Sequence, residues 1–226
     1  MNRLYPQIKI CGLTDPEEAR ACAQCGADAI GLVFYPPSPR HVTMEQAAAI
    51  AARLPDYVHA VGVFVNPDMG ELERIIAHCG LSAVQLHGAE PPEFAGNLKN
   101  RTPAKVIKAL FTAKPPGLAD AYRYDVSGYL VECGKGRLPG GNAKAWNWAL
   151  AEPFGRHYPL VLAGGLGPET VVRAISACWP DAVDASSGLE VAPGHKDLAK
   201  VESFIETVRQ TSALYDTRNR EIRSIF

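Results

Sequence analysis

The chain has 226 residues, is 47% hydrophobic and 21% charged, and carries a formal net charge of −1. Such a composition suits a globular domain with a full core. Near-neutrality excludes the basic excess that general nucleic-acid or anionic-membrane binding needs, and no apolar run reaches the length of a membrane span. The opening MNRLYPQIKI lacks the apolar segment of a signal peptide, because Gln7 and Lys9 interrupt it. Six cysteines in a chain without that signal predict reduced thiols and a cytoplasmic protein.

Taken in chain order, the elements alternate. Strand IKICGL (8–13) precedes a helix over 15–25, whose Thr14-Asp15-Pro16 opening has a capping residue followed by a first-turn proline. AIGLVF (29–34) precedes a helix over 43–54 opened by Thr43. AVGVFV (60–65) precedes 68–79, AVQLHG (83–88) precedes 91–100, and VIKALF (106–111) precedes 116–123. GYLVEC (128–133) precedes 143–151, LVLAGG (160–165) precedes 168–178, and AVDASS (182–187) precedes 197–212. The strands are continuous apolar runs, the pattern of a parallel sheet covered on both faces. Eight strand–helix units in one chain predict a single-domain α/β fold, the (β/α)8 TIM barrel, over residues 1–212; a doubly wound sheet is the alternative. The tail 213–226 is charged, with scattered apolar residues, and reads as a short docking helix or a frayed end. The Cys22-Ala23-Gln24-Cys25 spacing matches redox and zinc pairs. No second pair completes a metal set, so both cysteines read as small helix residues.

In such a barrel chemistry gathers at the C-terminal strand ends. Polar residues there are numerous: Cys11, Arg40, Asn66, Gln85, His87, Glu132, Cys133, Asp184, Ser186 and Ser187. LAGGLGPETV, with Gly164 and Gly165, and VDASSGLE, with Ser186 and Ser187, can together offer backbone N–H groups and hydroxyls to a phosphate. Arg40 ends a proline-stiffened loop, FYPPSPRHV, and suits a fork-like grip on a carboxylate. Cys11 is a thiol at the mouth, able to act as base or nucleophile if its pKa falls, although a strand cysteine more often serves as a small buried hydrophobe. His87 reads as a hydrogen-bonded residue lining the mouth.

Together KICGLT, FYPPSPRHV, VGVFVN, VQLHG, LAGGLGPETV and VDASSGLEVAPGHKD resemble the phosphoribosylanthranilate isomerase family of tryptophan biosynthesis, over residues 8 to about 210. The resemblance implies an Amadori rearrangement of the small molecule N-(5-phosphoribosyl)anthranilate to 1-(2-carboxyphenylamino)-1-deoxyribulose 5-phosphate, with no cofactor and no metal, in a monomer or homodimer. It implies Cys11 as general base, Arg40 on the anthranilate carboxylate, Asp184 beside the anthranilate amine and sugar hydroxyls, and Gly164, Gly165, Ser186 and Ser187 around the phosphate. Two departures stand out. The family's strand-6 aspartate, its general acid, is Glu132 here, and the GGTGKTFDW-like loop that follows reads LPGGNAKAWNW (138–148), keeping the pair Gly140–Gly141. Glu132 is therefore expected to be the acid. It is one methylene longer, a displacement of roughly 1 Å that can cost about 100-fold in rate unless the backbone compensates. Cys133 should point away from the Glu132 side of the strand. Other readings are a neighbouring sugar-phosphate barrel, either an indole-glycerol-phosphate synthase with a lysine acid, Lys9 or Lys108, or a bifunctional sugar isomerase with paired aspartates, from which Cys11 departs, and a phosphate-binding paralogue without activity.

Overall fold

The computed structural model describes residues 4–135, 145–216 and 221–226. Eight parallel strands close into a barrel in sequence order: β1 (Gln7–Cys11), β2 (Ala29–Phe34), β3 (His59–Phe64), β4 (Ala83–Leu86), β5 (Lys105–Phe111), β6 (Gly128–Glu132), β7 (Leu160–Ala163) and β8 (Ala182–Ala185). The last pairs with the first, placing Lys9 opposite Asp184. The doubly wound alternative is thereby excluded. β4, β6 and β8 end before His87, Cys133 and Ser186–Ser187, which turn away into the mouth loops, while Cys11, Gln85, Glu132 and Asp184 stay within their strands.

The helices outside the barrel are α1 (Pro16–Cys25), α2 (Met44–Ala51), α3 (Met69–Cys79), α4 (Pro92–Arg101), α5 (Glu152–His157), α6 (Val171–Cys178) and α7 (Leu198–Gln210). Local chemistry sets their starts. Asp15 caps α1 by accepting from the N–H groups of Glu17 and Glu18. Thr43 and Gln46 form a reciprocal capping box on α2. Two expected starts move inward: Asp68 caps α3, and α6 begins at Val171, after a turn that contains Pro168. The helix expected over 116–123 is a short 3-10 helix, Leu118–Arg123. The one expected over 143–151 begins outside the described residues; the described part is a 3-10 turn, Trp148–Ala151, that continues as α5.

Strand alternation divides the core in two. Outward residues such as Ile8, Ile10, Leu32, Val84, Leu110 and Val183 pack beneath the helices. Inward residues Ala29, Val61, Ala83, Ile107, Leu130, Val161 and Ala182 fill the lower barrel together with Ile225 and Phe226 from the tail. The tail's helix, α8, spans Ser212–Asp216. Its last residues cross the N-terminal end of the barrel: the Ile225 N–H donates to Gln7 Oε1 at 2.6 Å, and Arg223 pairs with the fully buried Asp181 at 2.6 Å. Beyond β8, a hairpin of β9 (Glu190–Ala192) and β10 (His195–Lys196) adds two short antiparallel strands that the sequence reading did not anticipate.

Candidate active site

Alternation along β1 turns Ile8 and Ile10 to the helices and Lys9 and Cys11 to the lumen. The same parity brings Gln85, Glu132 and Asp184 inward. With His87 they line one cavity at the C-terminal end of the barrel, which also takes in Arg40, Gly164, Gly165, Ser186, Ser187 and Gly188 and encloses about 950 Å³ of empty space, open mouth included. Every expected site residue therefore reaches a single cavity. Lys108 does not: it leaves β5 on the outer face, where its ammonium bonds Glu90 at 2.7 Å and the carbonyls of Leu86 and Gly88. Parity excludes it as a barrel acid. Cys133, expected to be turned away, lies half-buried on the cavity rim, since the chain has already left β6 and strand alternation no longer governs it.

Two glycines make room for the key side chains. A Cβ on Gly31 would sit 2.6 Å from Cys11 Sγ, so the thiol occupies the space that a side chain on β2 would fill. A Cβ on Gly12 would meet Arg40 Cδ at 2.4 Å, and φ there is +82°, so glycine serves both the turn and the arginine stem that crosses it. Burial pushes the Cys11 thiol above its ordinary pKa, with the charge of Lys9 opposing. Lys9 is fully buried and 3.0 Å from Asp184. Burial works against the Lys9 ammonium, but Asp184 and Cys11 outweigh it and hold its pKa above the usual value.

Glu132 ends β6, with His87 Nε2 3.4 Å from its Oε1. His87 Nδ1 is 2.8 Å from the Gln85 amide nitrogen. With that amide donating, the neutral ring carries its hydrogen on Nε2, the side facing Glu132. Burial pushes the Asp184 carboxyl up, and Lys9 pulls the other way.

Arg40 is buried, and its Nε–Nη2 edge is held by Glu190 at 2.8 and 2.6 Å. Glu190 also receives the Lys196 ammonium at 2.7 Å. Burial favours a raised carboxyl at Glu190, yet hydrogen bonds from Arg40 and Lys196 outweigh it and hold the pKa below the ordinary carboxylate value. Sequence reading missed both Glu190 and Lys196, since a charged residue in a short hairpin has no periodicity to mark it.

The loops after β7 and β8 touch backbone to backbone, because a Cβ on Gly188 would lie 2.2 Å from the Leu166 carbonyl oxygen. Gly164 and Gly165 both have positive φ. Trp146 and Trp148 donate their indole N–H groups to the carbonyls of Ala163 and Gly164 at 2.9 and 3.1 Å, fixing this turn. The tryptophans belong to the segment LPGGNAKAWNW (138–148); its Gly140 and Gly141 lie outside the described residues. Cys22 and Cys25 are free thiols in α1, and burial pushes Cys22 up to about 12. No group of metal-binding side chains occurs among the described residues, and no described helix is long and apolar enough to cross a membrane.

Comparison with known proteins agrees with this geometry. The family model described as N-(5'phosphoribosyl)anthranilate (PRA) isomerase matches residues 8–207. An N-(5'-phosphoribosyl)anthranilate isomerase from Desulfatibacillum aliphaticivorans is 48% identical over 94% of this chain and 97% of its own. One from Geobacter sulfurreducens is 42% identical over 90% and 98%. The phosphoribosyl anthranilate isomerase structure from Thermotoga maritima superposes with a TM-score of 0.83 at 37% identity, covering 91% of this chain and 99% of that one. Another solved isomerase, 36% identical with a TM-score of 0.79, covering 91% of this chain and 99% of that one, holds reduced 1-(o-carboxyphenylamino)-1-deoxyribulose 5-phosphate. With eight strands in the barrel order and a match across nearly its whole length, the chain belongs to the phosphoribosylanthranilate isomerase family.

Proposed function

We propose that this protein catalyses the Amadori rearrangement of N-(5-phosphoribosyl)anthranilate in tryptophan biosynthesis, with Glu132 as general acid and Cys11 as general base. The observation that carries the reading is the placement of these two groups. Cys11 on β1 and Glu132 on β6 come from well-separated strands and line one cavity, beside a glycine- and serine-rich rim. The substrate carries a carboxylate and a phosphate, and the cavity is lined by the Arg40 guanidinium and by hydroxyl and backbone groups of Gly164, Gly165, Ser186 and Ser187.

In this reading the Glu132 carboxyl gives its proton to the ribose ring oxygen. The C1–O bond breaks, and the nitrogen lone pair forms the C1=N Schiff base. The Cys11 thiolate takes the C2 proton, and the C–H electrons make the C1=C2 bond of the enolamine, which tautomerises to the C2 ketone. This is acid–base catalysis from two faces of the sugar. His87, held by Gln85, presents its Nε2 hydrogen to the Glu132 carboxyl and steadies it while it changes protonation state. Glu190 already occupies the side edge of Arg40, so the anthranilate carboxylate takes the end-on edge, Nη1 and Nη2. Asp184 meets the anthranilate amine and the sugar hydroxyls. Trp146 and Trp148 hold the Gly164 turn beside Glu132, whose Cβ lies 3.5 Å from where a Gly164 Cβ would be. That support compensates for the longer acid side chain. Six cysteines that form no disulfide with one another favour a reducing compartment, the cytoplasm.

The test is the loss of substrate fluorescence on adding the protein to freshly made phosphoribosylanthranilate. Glu132→Gln should reduce kcat by about 100-fold or more, the usual contribution of a positioned acid. Near-full activity in that variant would remove Glu132 from the mechanism.

A further inference from the structure

A fully buried lysine in a barrel lumen needs a reason. Around it Ala29, Val61, Ala83, Ile107, Leu130, Val161 and Ala182 fill the lower lumen at no electrostatic cost. Lys9 instead places an ammonium at 0% exposure directly beneath the mouth. A single carboxylate, Asp184, already balances its charge at 3.0 Å. An ammonium has three hydrogens, and one goes to Asp184. Cys11 lies two residues along the same strand on the same inward face, and the charge of Lys9 acts on its sulfur. Gly31 clears the space on the other side of the sulfur.

We propose that Lys9 is the positioning residue through which Cys11 works as a base: its buried ammonium is the counter-charge of the thiolate and aims the sulfur into the cavity. The proposal rests on the reading of Cys11 as the general base. Pairing Lys9 with Asp184 leaves the lumen near neutral while Cys11 is a thiol. Ionising Cys11 adds one negative charge, and Lys9, bonded to Asp184 and on the same inward face as Cys11, is the cation that balances it. Other charges face the sulfur as well. Asp184 on β8 opposes ionisation, whereas Lys196 on β10 and Arg40 on the loop after β2 favour it. The last two are engaged by Glu190, and of the cations Lys9 acts most strongly on the sulfur. The arrangement also explains why Asp184 is fixed to β1 through a side-chain bond. The pair sets the height of the ammonium under the sulfur.

The thiol can be titrated without any substrate. The rate of Cys11 alkylation by iodoacetamide is followed against pH by peptide mass, with the half-buried Cys133 on the same rim as internal reference. In the wild-type protein burial should keep the Cys11 rate rising past pH 9.0, the ordinary thiol value. In Lys9→Met the curve should move upward by about one pH unit or more, the effect of removing an opposite charge at this range, while Cys133 stays put. Its alkylation at pH 8 then falls about tenfold, since each unit is tenfold in thiolate. The alkaline rise of kcat/KM should move with it. If Lys9→Met fails to fold, Lys9→Met/Asp184→Asn is compared with Asp184→Asn, which keeps the lumen free of an unpaired carboxylate; the same upward shift is expected. A Cys11 curve unmoved by loss of Lys9 overturns the proposal. Failure of the base reading shows differently: Cys11→Ser would keep its turnover, whatever the titration reports.

Discussion

The two ends of the barrel are built from the same eight strands with the same parity, yet they hold opposite contents. At the N-terminal end the inward residues are Ala29, Val61, Ala83, Leu130 and Ala182, and the tail closes them with Ile225 and Phe226. At the C-terminal end the inward residues are Cys11, Gln85, Glu132 and Asp184, open to a cavity. One end buries apolar surface and stabilises; the other buries polar groups, which costs free energy unless each finds a partner. The mouth meets that condition through pairs: Lys9 with Asp184, His87 with Glu132, and Arg40 and Lys196 with Glu190. The His87–Glu132 pair is the loosest of these: at 3.4 Å Glu132 Oε1 makes no hydrogen bond among the described contacts. Stability and chemistry are thus separated along the barrel axis, and mutations can test whether that separation is real.

The largest expected effect is at the mouth. Cys11→Ser should lower kcat by about 100- to 10,000-fold, the range for a positioned base, and leave the melting temperature nearly unchanged. A large fall in melting temperature would show that the mouth also carries the fold. At the closed end the outcomes should invert. Ile225→Ala removes buried methyl groups packed near Gly128 and should cost about 2–3 kcal/mol, lowering the melting temperature by roughly 5–10 °C with kcat/KM intact. Catalytic loss without destabilisation would mean that the tail reaches the site.

Smaller effects sharpen the comparison inside the mouth. Glu190→Gln releases the charge pairing of Arg40 without touching Cys11 or Glu132. It should raise KM roughly tenfold with kcat little altered; a fall in kcat alone would place Glu190 elsewhere in the cycle. The same carboxylate predicts a modest pH effect. Its folded pKa lies below the ordinary 4.5, so its contribution to stability is complete above pH 4.5 and is lost as pH falls through the lower folded value. Glu190→Gln should flatten that acid limb in a denaturation series, and an unchanged limb would assign acid sensitivity to other carboxylates.

Much of this was legible in one dimension. Continuous apolar strands alternating with capped helices implied a parallel barrel, and β2 runs over Ala29–Phe34 as read. The mouth residues followed from parity and strand ends. Other features were not legible, for physical reasons. Lys9 and Lys108 are both strand lysines, but a one-residue difference in phase sends one into the lumen and the other to an outer clamp with Glu90. Gly31 reads as a weak point in a strand until the thiol above it is seen.

The sequence by itself determined the fold class, the polar strand ends and the family, because these depend on periodicity, capping and short motifs local in the chain. Only the tertiary structure decided that Glu190 holds Arg40 across 150 positions of sequence, that Trp146 and Trp148 fix the Gly164 turn, and that the tail plugs the barrel's far end. Those contacts arise from barrel closure, which brings β8 against β1 and sets side chains from distant segments within hydrogen-bond range, and no local pattern encodes them.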